Sequence, residues 1–243
     1  MIDKVISNTI TIGLILLVFA WATLTLESQL ESIEFINTVY AFQVLAGFDD
    51  GAFNEGDANY VILSINRGYI EIENETYNIT IRILIDNQLV FERNYCIKTI
   101  IPSYRAGWLI STLKKYYRGS ETLISNSTII FMVYTEQRNG ARIFIRPRIR
   151  FYHLGSFMKD YRISIVNIYI PILIAGESGG ASPFKIYFRT SHVSREVFEV
   201  DGGNNVEIII ILNDQIAEFK VDSCDKLVLN IIKSNIKFGV RGV

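Results

Sequence analysis

A mainly β protein with one long N-terminal α-helix, an antiparallel β-sandwich standing on that helix, is the fold class this sequence predicts. Three observations carry the prediction. No charged residue interrupts the chain between Lys4 and Glu27. After residue 59 the apolar residues recur with a period of two rather than 3.6. The composition is rich in Ile and aromatic residues and poor in Pro, with 13 Tyr, 15 Phe and 4 Pro in 243 residues, which favours strands.

The helix comes first. From Lys4 to Glu27 a helix rising about 1.5 Å per residue reaches roughly 33 Å. That is enough to cross a hydrocarbon core of about 30 Å. A secretory signal has a shorter apolar region ending in a small-x-small cleavage site. Here the triplet Ala20-Trp21-Ala22 lies deep inside the run, so retention as an anchor is expected. Lys4 flanks one end and Glu27, Glu31 and Glu34 follow the other, which puts the N-terminus in the cytoplasm and the bulk outside. Past the span, Leu26, Leu30, Ile33, Ile36 and Tyr40 continue an apolar stripe at helical spacing, with the three glutamates together on another face. No Gly or Pro interrupts this second half until Gly47, a candidate C-cap, so one helix is expected over about residues 5–46. The stripe has two readings: packing on the protein's own domain, or on copies of itself in a fibre.

The chain then divides into a helix over 1–46, a linker over 47–59 and a β-sandwich over 60–243. The linker, GFDDGAFNEGDAN, is rich in Gly, Asp and Asn. Its Asp49, Asp50, Glu55 and Asp57 lack the spacing of an EF-hand loop and read as a solvated acidic segment. Val61, Leu63 and Ile65 open the alternating pattern. Ile70 and Ile72 lead to a turn at Asn74-Glu75, Ile79, Ile81, Ile83 and Ile85 alternate, and Asp86-Asn87 returns the chain into 89–93. Leu109, Leu113 and Tyr117 are spaced for a short helix. Strands are expected at 128–134 and 141–152, around a turn at Arg138-Asn139-Gly140. The run ISIVNIYIPILIA reads as a buried strand broken at Pro171. Further strands follow at 184–189, 206–212, 216–221 and 227–232, with Asn213-Asp214 as a hairpin turn. Roughly ten short strands with turns and almost no helix describe a sandwich.

The chemistry-bearing residues exclude more than they suggest. A net charge of −1 argues against electrostatic nucleic-acid binding. The best enzyme-like motif is GESGG, Gly176 to Gly180, which matches G-x-S-x-G around Ser178. A nucleophile elbow requires a helix after it, and here Pro183 and a strand follow. His153 precedes Ser178 without a recognisable triad context. With His153 and His192 as the only histidines and two distant cysteines, a zinc site is not expected. No enzymatic activity and no cofactor are expected. Asn74, Asn78 and Asn126 each open an Asn-x-Ser/Thr sequon and are candidate glycosylation sites on the side placed outside. Cys96 and Cys224 read either as one disulfide closing a long loop or as two buried thiols. In RIFIRPRIR, Arg142, Arg146, Arg148 and Arg150 alternate with Ile and would form one basic strand face. That face is either solvated and paired with the protein's own carboxylates, or contacts an acidic neighbour or a surface glycan; Glu27, Glu31 and Glu34 of an adjacent subunit are one such neighbour.

The opening KVISNTITIGLILLVFAW resembles the N-terminus of archaeal type IV pilin-like surface proteins, in which a short basic leader precedes an apolar helix. GDANYVILSINRGYIEIENETYNITI, NGARIFIRPRIRFYHLG and YIPILIAGESGGASPFKIYFR resemble the β-rich ectodomain of that group. The resemblance implies membrane insertion, trimming by a prepilin peptidase and assembly through the helix into a filament serving adhesion. The expected protein is therefore a structural subunit of the cell membrane or an extracellular filament, partnered by the membrane and by pilin-like subunits. The reading from another class is a monomeric membrane-anchored module that binds a glycan or a protein.

Overall fold

The computed structural model describes residues 2–158 and 162–243; the side chain of Lys4, on which the expected orientation rests, lies outside the described part. Helix α1 (Ile2–Ala46) is continuous over 45 residues. A 3-10 turn at Gly51–Phe53 follows, then strands β1 (Ala58–Leu63), β2 (Tyr69–Ile85), β3 (Gln88–Arg105), β4 (Lys115–Arg118), β5 (Ile124–Ser125), β6 (Phe131–Gln137), β7 (Ala141–Pro147), β8 (Ile149–Met158), β9 (Arg162–Gly179), β10 (Phe184–Gly203), β11 (Val206–Leu212), β12 (Gln215–Val221) and β13 (Cys224–Gly242). They form a six-stranded sheet ordered β1-β10-β13-β9-β8-β5 and a seven-stranded sheet ordered β12-β11-β2-β3-β7-β6-β4, packed together as a sandwich. Pairing is antiparallel except between β9 and β13 and between β5 and β8.

The helix ends where Gly47 was expected to cap it. The Gly47 N–H donates to the carbonyls of Gln43 and Val44, both at 3.1 Å. The side-chain amide of Asn59, one residue into β1, donates to Val44 O at 2.9 Å, satisfying a terminal carbonyl that the helix cannot. The β2–β3 hairpin turns at Asp86 and Asn87 with φ of 51° and 65°, the doubly left-handed geometry of a type I′ turn, which Asn and Asp tolerate.

Four expectations are corrected. No turn forms at Asn74-Glu75: both residues lie inside β2, paired with Ile100 and Thr99 of β3. Leu109, Leu113 and Tyr117 form no helix: residues 106–114 are irregular and Tyr117 lies in β4. Side chains satisfy that backbone instead, since the Leu109 N–H donates to Glu31 and the Thr112 N–H to Gln137, while Leu113 O accepts from Thr135. The strand expected at 141–152 is two strands, β7 and β8, which leave Arg148 between them and belong to different sheets. Pro171 does not break β9; it pairs with Ser234 of β13 at a point where β9 has already parted from β8, whose last partner is Tyr169. A missing N–H there costs no ladder bond on the open side.

The strands are longer than expected because several run through two cores. One core lies between the sheets away from the helix, around Ile79, Ile81, Ile83, Val166, Ile168, Ile208, Ile210, Leu227 and Leu229. The other joins the sheets to the helix, around Phe42, Leu45, Phe131, Ile143, Ile145, Ile186, Phe188 and Phe238. The long strands serve these cores with opposite faces. Strand β13 buries Leu227, Leu229 and Ile231 in the first and Ile236 and Phe238 in the second; β9 buries Val166, Ile168 and Ile170 in the first and Leu173 in the second. The alternation therefore changes phase inside each strand.

Candidate functional site

The C-terminal half of α1 is the element on which the domain and its surroundings meet. Its inner side is Phe35, Val39, Phe42, Leu45 and Ala46, at spacings of three and four, all buried in the helix-side core. The Phe35 ring meets Tyr104 at 6.3 Å between centroids. Below these rings the docking becomes polar. The Glu34 carboxylate is only 7 % exposed and accepts the N–H groups of Asn66 (2.8 Å), Arg67 (3.2 Å) and Gly68 (2.9 Å) and the hydroxyl of Tyr104 (2.8 Å). One turn away Glu31, also buried, accepts the Leu109 N–H at 3.0 Å. Position 107 has to be glycine for this: a Cβ there would stand 2.3 Å from the Glu31 carboxylate. Glu27 pairs with Arg67 at 2.8 Å. All three glutamates thus hold the two loops that flank the helix; Glu31 and Glu34 are buried in these contacts, while the Glu27 side chain stays 45 % exposed.

The electrostatics of Glu34 follow from this cage. Burial pushes its pKa up, and the bonds from Asn66, Gly68, Tyr104 and Arg67 together outweigh that, holding it below its ordinary value of 4.5. A carboxylate with a lowered folded-state pKa contributes stability that is complete above the unfolded value and is lost as pH falls through the folded one. Thermal melts of wild type and Glu34→Gln are therefore expected to differ at neutral pH and to converge as pH drops below 4.5. A gap that stays constant into acid would remove this assignment.

The opposite side of the same helix is bare. Leu26, Ile33, Ile36, Tyr40 and Val44 are 50 % exposed or more, with Ile33 at 55 % and Tyr40 at 63 %. Leu30, at the border between the two sides, is half-buried. The stripe read from the sequence is thus real but faces away from the domain, and the residues that dock the domain are another set. Toward the N-terminus the exposed stripe runs into Ile10 to Leu24, apolar and exposed on every side. This helix is long and apolar enough to cross a membrane.

The four arginines do not form one open face. Arg142 pairs with Glu71 at 3.0 Å and Glu73 at 2.6 Å, and Arg146 pairs with Glu75, so the glutamates at alternate positions of β2 neutralise those of β7. Arg148 is 2 % exposed; its guanidinium donates to the Thr122 carbonyl (2.7 Å), the Ile129 carbonyl and the hydroxyls of Ser120 and Thr122, and burial pushes its pKa down. Arg150 lies over the rings of Tyr152 and Tyr169. The basic face is consumed because β7 and β8 diverge at Arg148.

Asn74, Asn78 and Asn126 are exposed. Cys96 is exposed on β3 and Cys224 is buried at the start of β13, both as free thiols. Ser178 stands near the end of β9, whereas the His153 imidazole bonds Ser164 near its start at 2.7 Å, about 45 Å of strand away at ~3.3 Å per residue. Asp49 accepts the Ile130 N–H at 3.0 Å and pairs with Arg118. Among the described residues no three His, Cys, Asp or Glu side chains converge as a metal site would require.

Sequence reasoning did not find the Glu34 clamp. The available signal was that Glu31 and Glu34 lie in the same arc of the helical wheel as Phe35, Thr38 and Phe42, a placement that buries them whenever that arc docks. No protein-family model, no curated protein and no solved structure matches the chain.

Proposed function

We propose that this protein is a pilin-like structural subunit of the cell surface, inserted in the membrane by α1 and assembled through it with further copies. The observation that carries the reading is the second apolar stripe. A lone anchor needs an apolar span and a docked domain, and both are present without Ile33, Ile36, Tyr40 and Val44, which leave the domain on the side away from it. A row of large apolar side chains above the span is stabilised only by something laid against it, and burial of each Leu or Ile contributes roughly 1.5–3 kcal/mol. The stripe is continuous with the bare N-terminal half, so one neighbouring helix can cover both. A second copy is the occupant that supplies such a helix.

In this reading the β domain lies outside the cell, the three sequons face the exterior, and adhesion is the task of the assembled surface. The test replaces Ile33 and Ile36 by Asp in the full-length chain. Because both side chains point away from the domain, its thermal unfolding is expected to stay within about 0.5 kcal/mol of wild type. Assembly should fail, because the change places unpaired charge in the helix contact. Crosslinking and electron microscopy of surface material from the two strains read the outcome. Equal crosslinking, or discrete monomers from both, would favour the anchored binding module instead.

A further inference from the structure

The outer face of the six-stranded sheet, turned away from the helix-side core, carries a groove of about 950 Å³. Four strands line it, β1, β9, β10 and β13, and the cationic and aromatic side chains come from β1, β10 and β13. Ile186 and Phe188 of β10 and Ile236 and Phe238 of β13 point into that core. The residues between them, Lys185, Tyr187 and Arg189 on β10 and Lys237 and Arg241 on β13, therefore point out and line the groove, with Tyr60 of β1.

The register makes this face unusual. Lys185 sits directly opposite Arg241, and Arg189 directly opposite Lys237. Like charges facing each other across a ladder are destabilising. On the other sheet, by contrast, β7 sets Arg142 and Arg146 against carboxylates of β2. Here Arg189, Lys237 and Arg241 are exposed and form no ion pair among the described residues, and Lys185 rests 4.0 Å from the Tyr60 ring centroid. Glu55 and Glu177 also line the groove without pairing with any of the four. Between the two cationic pairs lies Tyr187, opposite Gly239. A Cβ there would stand 2.3 Å from the Tyr187 ring, so any larger residue would displace the ring from this position. The absence of that Cβ lets the ring lie down across β13 as a flat floor.

We propose that this groove binds an anionic polysaccharide whose charges alternate with uncharged sugar rings. The two cationic pairs are four residues apart, about 13 Å at ~3.3 Å per residue, and would take two separated carboxylate or sulfate groups. Tyr187 and Tyr60 lie between and beside them and would take the intervening ring. A nucleic acid fits less well: it carries a charge every ~3.4 Å along each strand, and the stretch between the pairs offers it no cation and two carboxylates nearby. The groove is separate from the exposed helix stripe, so this inference stands or falls independently of assembly.

The test uses the full-length protein in detergent and hyaluronan oligosaccharides, which bear a carboxylate on alternate sugars, with neutral dextran, oligo-dT and polyglutamate as comparisons. Hyaluronan is expected to bind with salt-sensitive affinity and dextran not to bind. Arg189→Gln with Lys237→Gln should weaken hyaluronan by about tenfold or more, while the melting temperature stays unchanged or rises because a repulsive pair has been removed. Tyr187→Ala should weaken binding without changing its salt dependence. No preference for hyaluronan over dextran, unchanged binding in the double variant, or tighter binding of oligo-dT or polyglutamate would each overturn the proposal.

Discussion

Replacing Glu34 by Ala is expected to destabilise the protein by about 3–5 kcal/mol, the cost of leaving several buried hydrogen-bond donors without their acceptor. The carboxylate accepts three consecutive backbone N–H groups, from Asn66, Arg67 and Gly68, and the Tyr104 hydroxyl. Alanine leaves these donors facing an apolar methyl, and each unsatisfied buried donor costs about 1–3 kcal/mol, reduced where water can enter. Glu34→Gln keeps the shape and one acceptor oxygen, so a smaller loss is expected. In a domain of this size each kcal/mol moves the melting temperature by about 2–4 °C, so the alanine variant should melt roughly 6–20 °C below wild type. Urea unfolding of the full-length chain in detergent measures the difference directly. A loss under about 1 kcal/mol for alanine would mean that the loop finds other acceptors, and that Glu34 does not hold the domain to the helix.

Phe42→Ala should cost a similar amount for a different reason. The Phe42 side chain is fully buried in the helix-side core. Truncating a buried Phe to Ala costs about 3–5 kcal/mol, part transfer energy and part cavity. Val44, two residues on and 58 % exposed, provides the contrast: Val44→Ala should stay within about 0.5 kcal/mol in the unassembled protein. The same unfolding experiment compares the two. Equal losses would mean that the helix presents a different side to the domain than the one described, and would remove the basis for the free stripe as well.

How much of this was legible beforehand differs by element. The long helix, its end at Gly47, and the turns at Asp86-Asn87 and Asn139-Gly140 followed from local rules, because a charge-free run, a helix stop and left-handed Asn residues are properties of a few neighbouring positions. Strand length did not follow. Periodicity detects a strand by constant alternation, and β9 and β13 shift phase where they pass from one core to the other, so β13 read as a short strand over 227–232 and β9 as a strand broken at Pro171. The helix misled in a related way. Two apolar arcs on one helix are equally visible in the sequence, and nothing local says which of them the domain occupies. The arginines of β7 and β8 looked like one surface because alternation along a continuous strand would align them. The divergence of the two strands at Arg148 is a tertiary event, and it sends Arg142 and Arg146 to one partner strand and Arg150 to another.

The course of β1 beside the helix has a mechanical consequence. Asn59 near its start is bonded to Val44 near the helix end, and the loop after it is held by Glu34, so the strand runs back along the helix toward its N-terminal half. Strands β10 and β13 lie along the same axis across the sheet, β10 antiparallel to both of its neighbours. A tensile load entering through α1 is therefore directed along the strands, perpendicular to their ladder bonds. Bonds loaded that way are sheared together and share the force, whereas a pull across the ladder would open them one at a time. Because β10 and β13 pass through both cores, the load is carried into the far half of the domain as well, and the whole sandwich, rather than the first hairpin, resists extraction of the helix.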